Sequence, residues 1–131
     1  MIGIDTNVLV RYIAQDDDAQ ASRATAFIEN ECSASTPGFV GHVVLVEVVW
    51  VSESCYGAAR DEIVEIVRRI LSIKQLVVQD ADTAWKALRL FEAGTADFAD
   101  YVIERSAKAA GCKLTVTFDK KASSTGMELL K

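Results

Sequence analysis

The chain has 131 residues, half of them hydrophobic and only one a proline, which fits a single folded domain over residues 1–131 and excludes a disordered chain. Its net charge of −5 argues against passive binding to nucleic acid, unless bound cations offset some of the acids. Because neither a signal-peptide pattern nor a long apolar run occurs, we expect a soluble, cytoplasmic protein with no membrane partner.

Short apolar runs alternate with longer amphipathic segments along the chain. In chain order they predict a strand at residues 1–5, helices at 7–14 and 17–31, a strand or turn at 36–40, a helix at 58–73, a strand at 76–78, helices at 81–93 and 96–110, and strands at 114–118 and 127–130. Thr6 or Asn7 is expected to cap the first helix. This alternation predicts a parallel sheet covered by helices on both faces. Ligands of such sheets bind beyond the carboxyl ends of the strands, where Asp5 and Asp119 stand.

Glu47 is the one charged residue in the apolar run at 43–51. The run is so rich in valine that its pattern does not distinguish a helix from a strand. An ionised carboxylate surrounded by apolar side chains has to pair, bind a metal or shift its pKa. The alternative is that Glu47 lies on a polar face and points to water.

Asp97 and Asp100 are three residues apart, so they share one face in the first turn of a predicted helix. Acids are also favoured there by the helix dipole, and the pair resembles a capping box with Asp97 as N-cap and Asp100 as the third helical residue. Asp5 and Asp119 could likewise do no more than cap the helices that follow them. The residues alone leave both interpretations open for all four acids.

The presence of acids at all these places together favours a divalent cation. Carboxylate oxygens without histidine or thiolate partners indicate Mg²⁺ or Mn²⁺ rather than zinc. His42 is the only histidine and no serine or cysteine nucleophile motif accompanies it, so a side-chain nucleophile is not expected. The three cysteines lie far apart in the sequence and are expected to be reduced core residues: Cys32, Cys55 and Cys112.

Four sequence pieces match a known family in order and spacing: I-D-T-N-V-L at 4–9, H-V-V-L-V-E-V-V-W-V at 42–51, A-D-F-A-D-Y-V-I at 96–103 and T-F-D-K-K-A at 117–122. The first piece alone is weak, but the four together are specific. From residue 1 to about residue 126, the chain resembles PIN-domain ribonucleases of the VapC toxin type.

The resemblance implies an α/β fold, a three-layer α/β/α sandwich around a central parallel sheet of four or five strands, with Glu47 on a helix. It assigns catalysis and metal binding to Asp5, Glu47, Asp100 and Asp119, with Asp97 as an additional acid. Three polar neighbours are expected to orient these acids or water: Thr6, Asn7 and Thr117. It also implies Mg²⁺ or Mn²⁺, cleavage of RNA by metal-activated water, a homodimer, and a cognate VapB-like antitoxin whose C-terminal segment enters the acidic site.

Basic residues are needed to hold the phosphates beside the cut. The best placed are Lys120 and Lys121, directly after Asp119, and then Arg11 and Arg60, although each could simply be a solvated surface charge. One alternative function is a non-catalytic PIN module that binds RNA. A haloacid-dehalogenase-type phosphatase is disfavoured because Asn7 stands where that family needs a second aspartate. A receiver domain is disfavoured by Glu47.

Overall fold

The computed structural model describes residues 1–131, which form two compact units, Met1–Gln79 and Asp80–Lys131. Three short strands of the first unit form a parallel sheet in the order β1-β2-β3: β1 (Ile2–Gly3), β2 (Gly38–Val40) and β3 (Leu76–Val78). Its helices are α1 (Thr6–Ala14), α2 (Asp18–Ala26), which continues as a π-helical turn (Phe27–Glu31), α3 (His42–Tyr56) and α4 (Arg60–Ser72).

The middle strand of this sheet depends on a glycine. Gly38 pairs with Ile2 on one side and with Leu76 on the other. A Cβ atom at Gly38 would lie 2.4 Å from the Ile4 Cδ1 atom and 2.9 Å from a Leu76 methyl group. The side chains of Ile4 and Leu76 therefore close over β2 at Gly38, and a larger residue there would have to displace them.

The helices of the first unit pack through apolar residues at helical spacing. In α4 these are Ile63, Val64, Val67 and Ile70, all buried. α3 buries Leu45, Val48, Val49 and Ser52. The apolar run around Glu47 is therefore a helix, as the family resemblance implies. Glu47 lies on its exposed face, together with the exposed apolar side chains of Val43 and Trp50.

The second unit consists of α5 (Ala81–Ala93), α6 (Phe98–Ala109), β4 (Val116–Thr117), α7 (Lys120–Ser123) and β5 (Glu128–Leu129). α5 and α6 pack through aromatic rings, with Phe91 edge-on to Phe98 at 5.7 Å and to Tyr101 at 6.4 Å between ring centroids. β4 and β5 are parallel, with Val116 beside Glu128. This packing fixes the start of α6, which carries two of the predicted acids.

The predicted α/β class with parallel pairing is confirmed, but the predicted central sheet of four or five strands is not found. β1, β2 and β3 form one three-stranded sheet, and β4 pairs with β5 in a separate two-stranded sheet. The strands are only two or three residues long, so each forms a small number of ladder hydrogen bonds. Their sequence pattern predicts a strand but not its partner, because pairing is decided by distant residues.

Two smaller expectations also change. Only Cys32 lies in the core, while Cys55 and Cys112 are exposed, and all three are free thiols. The four-residue helix α7 was not predicted, because so short a segment shows no periodicity. None of the helices combines the length and the hydropathy that crossing a membrane requires.

Candidate functional site

Asp5 stands where β1 ends and α1 begins. It occupies the N-cap position of α1 with an extended backbone, and its carbonyl accepts a hydrogen bond from the Val8 N–H at 3.1 Å. The expectation that Thr6 or Asn7 caps this helix is therefore wrong, since the helix begins at Thr6 itself. The Asp5 carboxylate makes no capping hydrogen bond and is exposed. Both of its carboxylate oxygens are consequently available to a ligand.

A hydrogen bond ties the start of α1 to the exposed Glu47 on α3. The buried Thr6 donates from its hydroxyl group to the Glu47 Oε1 atom at 2.7 Å. The bond joins residues 41 positions apart and holds the Glu47 carboxylate beside the residue that follows Asp5. We call the group formed by Asp5, Thr6 and Glu47 the first acidic cluster. Thr6 thus contacts one of the predicted acids, and its role in orienting that acid for a metal stays a prediction.

Asp97, Asp100, Asp119 and Lys121 form a second acidic cluster, within the second unit. Asp97 takes the N-cap position of α6 but makes no capping hydrogen bond, so the predicted capping box is not formed. Its carboxylate instead pairs with the Lys121 ammonium group at 3.2 Å, and both side chains are more than half exposed. An exposed pair of this kind contributes only about 0–1 kcal/mol to stability.

Asp119 caps α7. Its side chain accepts a hydrogen bond from the Lys121 N–H at 2.9 Å. This agrees with the alternative that Asp119 caps the helix that follows it. Its own N–H donates to the Thr117 hydroxyl group at 3.0 Å. Thr117 therefore fixes the backbone of Asp119, and the carboxylate of Asp119 keeps a second oxygen that α7 does not use.

Asp100 is the least satisfied acid of the second cluster. Its Oδ2 atom is buried and has no hydrogen-bond partner. Burial, followed by the negative charges of Asp97 and Asp119, raises the pKa of Asp100 above its ordinary value, although the Asp97 backbone and Lys121 act in the opposite direction. A buried carboxylate oxygen without a partner is costly. A cation is the ligand that would remove this cost.

The donor atoms fit a hard divalent cation. The first acidic cluster offers carboxylate and hydroxyl oxygens and the second offers carboxylate oxygens, including the orphaned Asp100 oxygen, and neither contains an imidazole or a thiolate. Within neither unit are three or more acidic, histidine or cysteine side chains arranged to hold a metal ion by themselves. Mg²⁺ suits such sparse ligation, because it keeps several waters and binds through one or two carboxylates together with phosphate oxygens.

The four basic residues predicted to hold phosphate lie in different surroundings. Arg11 donates to Asp16 at 3.1 Å and to Gln20 at 2.7 Å. Lys121 pairs with Asp97, Lys120 is exposed without a described side-chain partner, and Arg60 is the first residue of α4. Phosphate binding by these residues stays a prediction.

A cleft of about 420 Å³ lies between α1 and α2 over the end of β1. Two predicted site residues, Asn7 and Arg11, line the cleft. Three further lining residues were not predicted from the sequence: Gln20, Arg23 and Phe27. These three residues recur at positions i, i+3 and i+7 of α2 and its π-helical extension. Their shared face on a predicted helix is the sequence signal that could have indicated them.

Comparison with known proteins agrees with the predicted resemblance. The PIN domain family matches residues 2–126, a range that includes all five predicted acids. A VapC ribonuclease of Aquifex aeolicus (strain VF5) is 25% identical over 125 residues, which cover 95% of this chain and 92% of that protein. Because the match extends over nearly the whole sequence, the chain belongs to the PIN domain family.

Proposed function

We propose that this chain is a metal-dependent endoribonuclease and the toxin of a toxin–antitoxin pair. The observation that carries the metal site is Asp100, whose buried Oδ2 atom lacks a partner beside the charges of Asp97 and Asp119. Ribonuclease activity is supported by the VapC ribonuclease that the chain resembles along nearly its full length.

The acids assigned to Mg²⁺ or Mn²⁺ are those that the sequence predicts: Asp5, Glu47, Asp97, Asp100 and Asp119. When bound, such a cation supplies Lewis acidity for the hydrolysis of a phosphodiester and offsets its charge. Thr6 holds one oxygen of Glu47 and leaves the other free. Thr117 fixes Asp119, and Lys121, which pairs with Asp97, lies where a substrate phosphate could compete for its ammonium group.

The partners in this proposal are an RNA substrate, a second copy of the chain and a VapB-like antitoxin, and its location is the cytoplasm. The ion pair between Lys121 and Asp97 shows that a basic side chain can occupy part of the second acidic cluster. An arginine from the C-terminal segment of an antitoxin would do the same with two parallel hydrogen bonds, which makes it a stronger ligand for a carboxylate.

The test is RNA cleavage by purified protein freed of any antitoxin. Total cellular RNA is incubated with Mg²⁺, Mn²⁺ or EDTA, and Asp5→Asn protein is run in parallel. We expect discrete fragments that require the metal and are absent with Asp5→Asn. Asp61→Asn, which removes an exposed acid from the first turn of α4, is the matched control and should cut like the wild type.

Equal cutting by Asp5→Asn and wild type would contradict the carboxylate mechanism. RNA that binds the wild-type protein but is never cut, with either metal, would favour the alternative of a non-catalytic RNA-binding PIN module.

A further inference from the structure

The cleft between α1 and α2 has an apolar wall. Gly3 at the end of β1 and Ile4 directly after it line the cleft, Val8 contributes from α1, and Ala24 and Phe27 contribute from the α2 side. A volume of about 420 Å³ lies in the range of pockets that accept small organic ligands. An aromatic ring on the wall offers a face on which a planar ligand can stack.

Two arginines line the cleft, although the chain as a whole has a net charge of −5: Arg11, whose charge is partly offset by its ion pair with Asp16, and Arg23. The bonds of Arg11 to Gln20 and Asp16 use two of the five N–H groups of its guanidinium and fix its orientation. Arg23 lies nearly one helical turn beyond Gln20, is exposed, and has no described partner. Two guanidinium groups at one cleft therefore have N–H donors to spare for an anion.

The cleft is adjacent in the chain to the first acidic cluster, although Asp5, Thr6 and Glu47 do not line it. Its lining residues Ile4 and Asn7 flank Asp5 and Thr6, and Thr6 holds Glu47. The exposed Asn7 side chain has no described hydrogen-bond partner, so its amide can both donate and accept. A ligand in the cleft would thus meet an apolar wall, an amide and two cations next to two candidate catalytic carboxylates.

These features match a nucleotide. Resting on the proposed function, we propose that the cleft binds one nucleotide of the RNA substrate next to the cleaved bond and so selects the base at that position. The base lies against Phe27, the phosphate is held by Arg11 and Arg23, and Asn7 hydrogen-bonds to the edge of the base.

A nucleotide explains the rim better than an apolar peptide segment does. A peptide side chain could fill the apolar wall, but it would leave the charge of Arg23 and the amide of Asn7 without partners. Groups that lose water without gaining a partner weaken binding. A phosphate beside a base supplies partners for both the charge of Arg23 and the amide of Asn7. Base stacking on an aromatic side chain contributes about 1–3 kcal/mol more.

The test measures binding of free nucleotides to the full chain in EDTA, where no cleavage occurs. Each of the four nucleoside 5′-monophosphates is titrated while amide NMR signals are followed, with inorganic phosphate as the reference. We expect at least one nucleotide to shift signals of the cleft residues and to bind about tenfold more tightly than phosphate, since stacking of the base adds to the anion contact.

Three variants sharpen this test. Arg23→Gln should weaken nucleotide binding severalfold by removing an exposed charge, and Lys74→Gln, at an exposed lysine in the same unit, is the matched control and should change nothing. Gly3→Val should also weaken binding. A Cβ atom at Gly3 meets no atom within 4 Å, so the added side chain takes up open space without a clash.

The proposal is overturned if nucleotides bind no better than phosphate, if Arg23→Gln binds them like the wild type, or if an apolar peptide shifts the cleft signals and nucleotides do not. RNA cleavage by the same proteins separates the two claims. Cleavage with wild-type protein and no nucleotide binding would overturn the cleft alone. Nucleotide binding together with cleavage that Asp5→Asn leaves intact would overturn the proposed catalytic function alone. We expect Arg23→Gln, which removes a phosphate contact, to lower kcat/KM severalfold whichever base is present, and Gly3→Val, which narrows the space for the base, to change which base is preferred.

Discussion

Thr6 connects two of the candidate catalytic acids. It follows Asp5 directly, and its buried hydroxyl group donates to Glu47 across the contact between α1 and α3. The bond uses one carboxylate oxygen of Glu47, which orients the other. Contacts of this kind commonly decide how well a carboxylate binds a metal.

Replacing Thr6 by valine should therefore impair the site without unfolding the protein. Valine has nearly the shape of threonine but cannot donate, so Glu47 would lose its fixed orientation. We expect metal affinity and cleavage rate to fall about 10- to 100-fold, measured by Mn²⁺ titration and by initial rates on RNA. Thr6→Ser keeps the hydroxyl group and should stay within a few-fold of wild type. Equal loss in both variants would show that the methyl group, and not the hydrogen bond, is important.

Asp100 is expected to lower stability in the absence of metal. Its raised pKa means that the fold binds a proton at this carboxyl group more tightly than the unfolded chain does, so the ionised form present at neutral pH disfavours folding. Asp100→Asn removes the charge and keeps the shape. We expect it to raise the Tm in EDTA by about 3 °C and to abolish cleavage.

Thermal unfolding in EDTA checks the effect on stability. The control Asp61→Asn removes an acid that the dipole of α4 favours, so it should leave the Tm unchanged or lower it slightly, opposite in sign to Asp100→Asn. A lower Tm for Asp100→Asn would mean that the carboxylate makes favourable contacts in the fold, contrary to its orphaned oxygen.

At the scale of elements, the start of α6 depends on how it packs against α5. A Cβ atom at Gly94 would lie 1.9 Å from the Tyr101 hydroxyl oxygen and 2.9 Å from the Leu90 carbonyl oxygen. Tyr101 belongs to the first turn and a half of α6, which also carries Asp100. The absence of a side chain at Gly94 therefore allows the packing that places the second acidic cluster.

Gly94→Ala should consequently destabilise the protein by about 1–3 kcal/mol, the usual cost of overpacking. It should also reduce metal binding, because Tyr101 and α6 have to shift. Denaturant unfolding measures the first effect and Mn²⁺ titration the second. Gly3→Ala is the control for stability and Mn²⁺ binding, since its added Cβ atom would meet no atom within 4 Å, and it should be no less stable than wild type. Wild-type stability of Gly94→Ala would contradict the account.

Some elements could be predicted from sequence to the residue and others could not. β3 and α5 have the predicted bounds, because their patterns and ends are local. The pairing of β4 with β5 instead of with a central sheet was not predicted, because two-residue strands carry no information about their partners.

The candidate site likewise has features that could be predicted from the sequence and features that could not. The sequence indicates Asp5, Glu47 and Asp100 by residue type and position. It does not indicate the bond from Thr6 to Glu47 across 41 residues, the lack of a partner for Asp100 Oδ2, or the ion pair of Lys121 with Asp97. These depend on tertiary packing, which no local pattern describes.

At the scale of the whole molecule, the cysteines report on the intact fold. Cys32 is buried, and burial raises the pKa of its thiol, whereas Cys55 and Cys112 are exposed. We expect a thiol reagent to modify two cysteines quickly and the third only when the chain unfolds, because the thiolate is the reactive form. The double variant Cys55→Ser, Cys112→Ser should lose the fast phase. Three fast thiols would place Cys32 outside the core, and none would indicate a disulfide.

The overall charge of −5 also makes the cation central to the account, because an RNA is a polyanion and needs positive charge at the place where it is cut. Direct Mn²⁺ binding tests this without knowledge of the target RNA. Titration of wild-type protein, Asp5→Asn, Asp100→Asn and the control Asp61→Asn, followed by electron paramagnetic resonance, compares their affinities. We expect wild type and Asp61→Asn to bind Mn²⁺ alike, and Asp5→Asn and Asp100→Asn to bind it at least tenfold more weakly. Equal Mn²⁺ affinity in all four proteins would contradict a metal site built on these carboxylates.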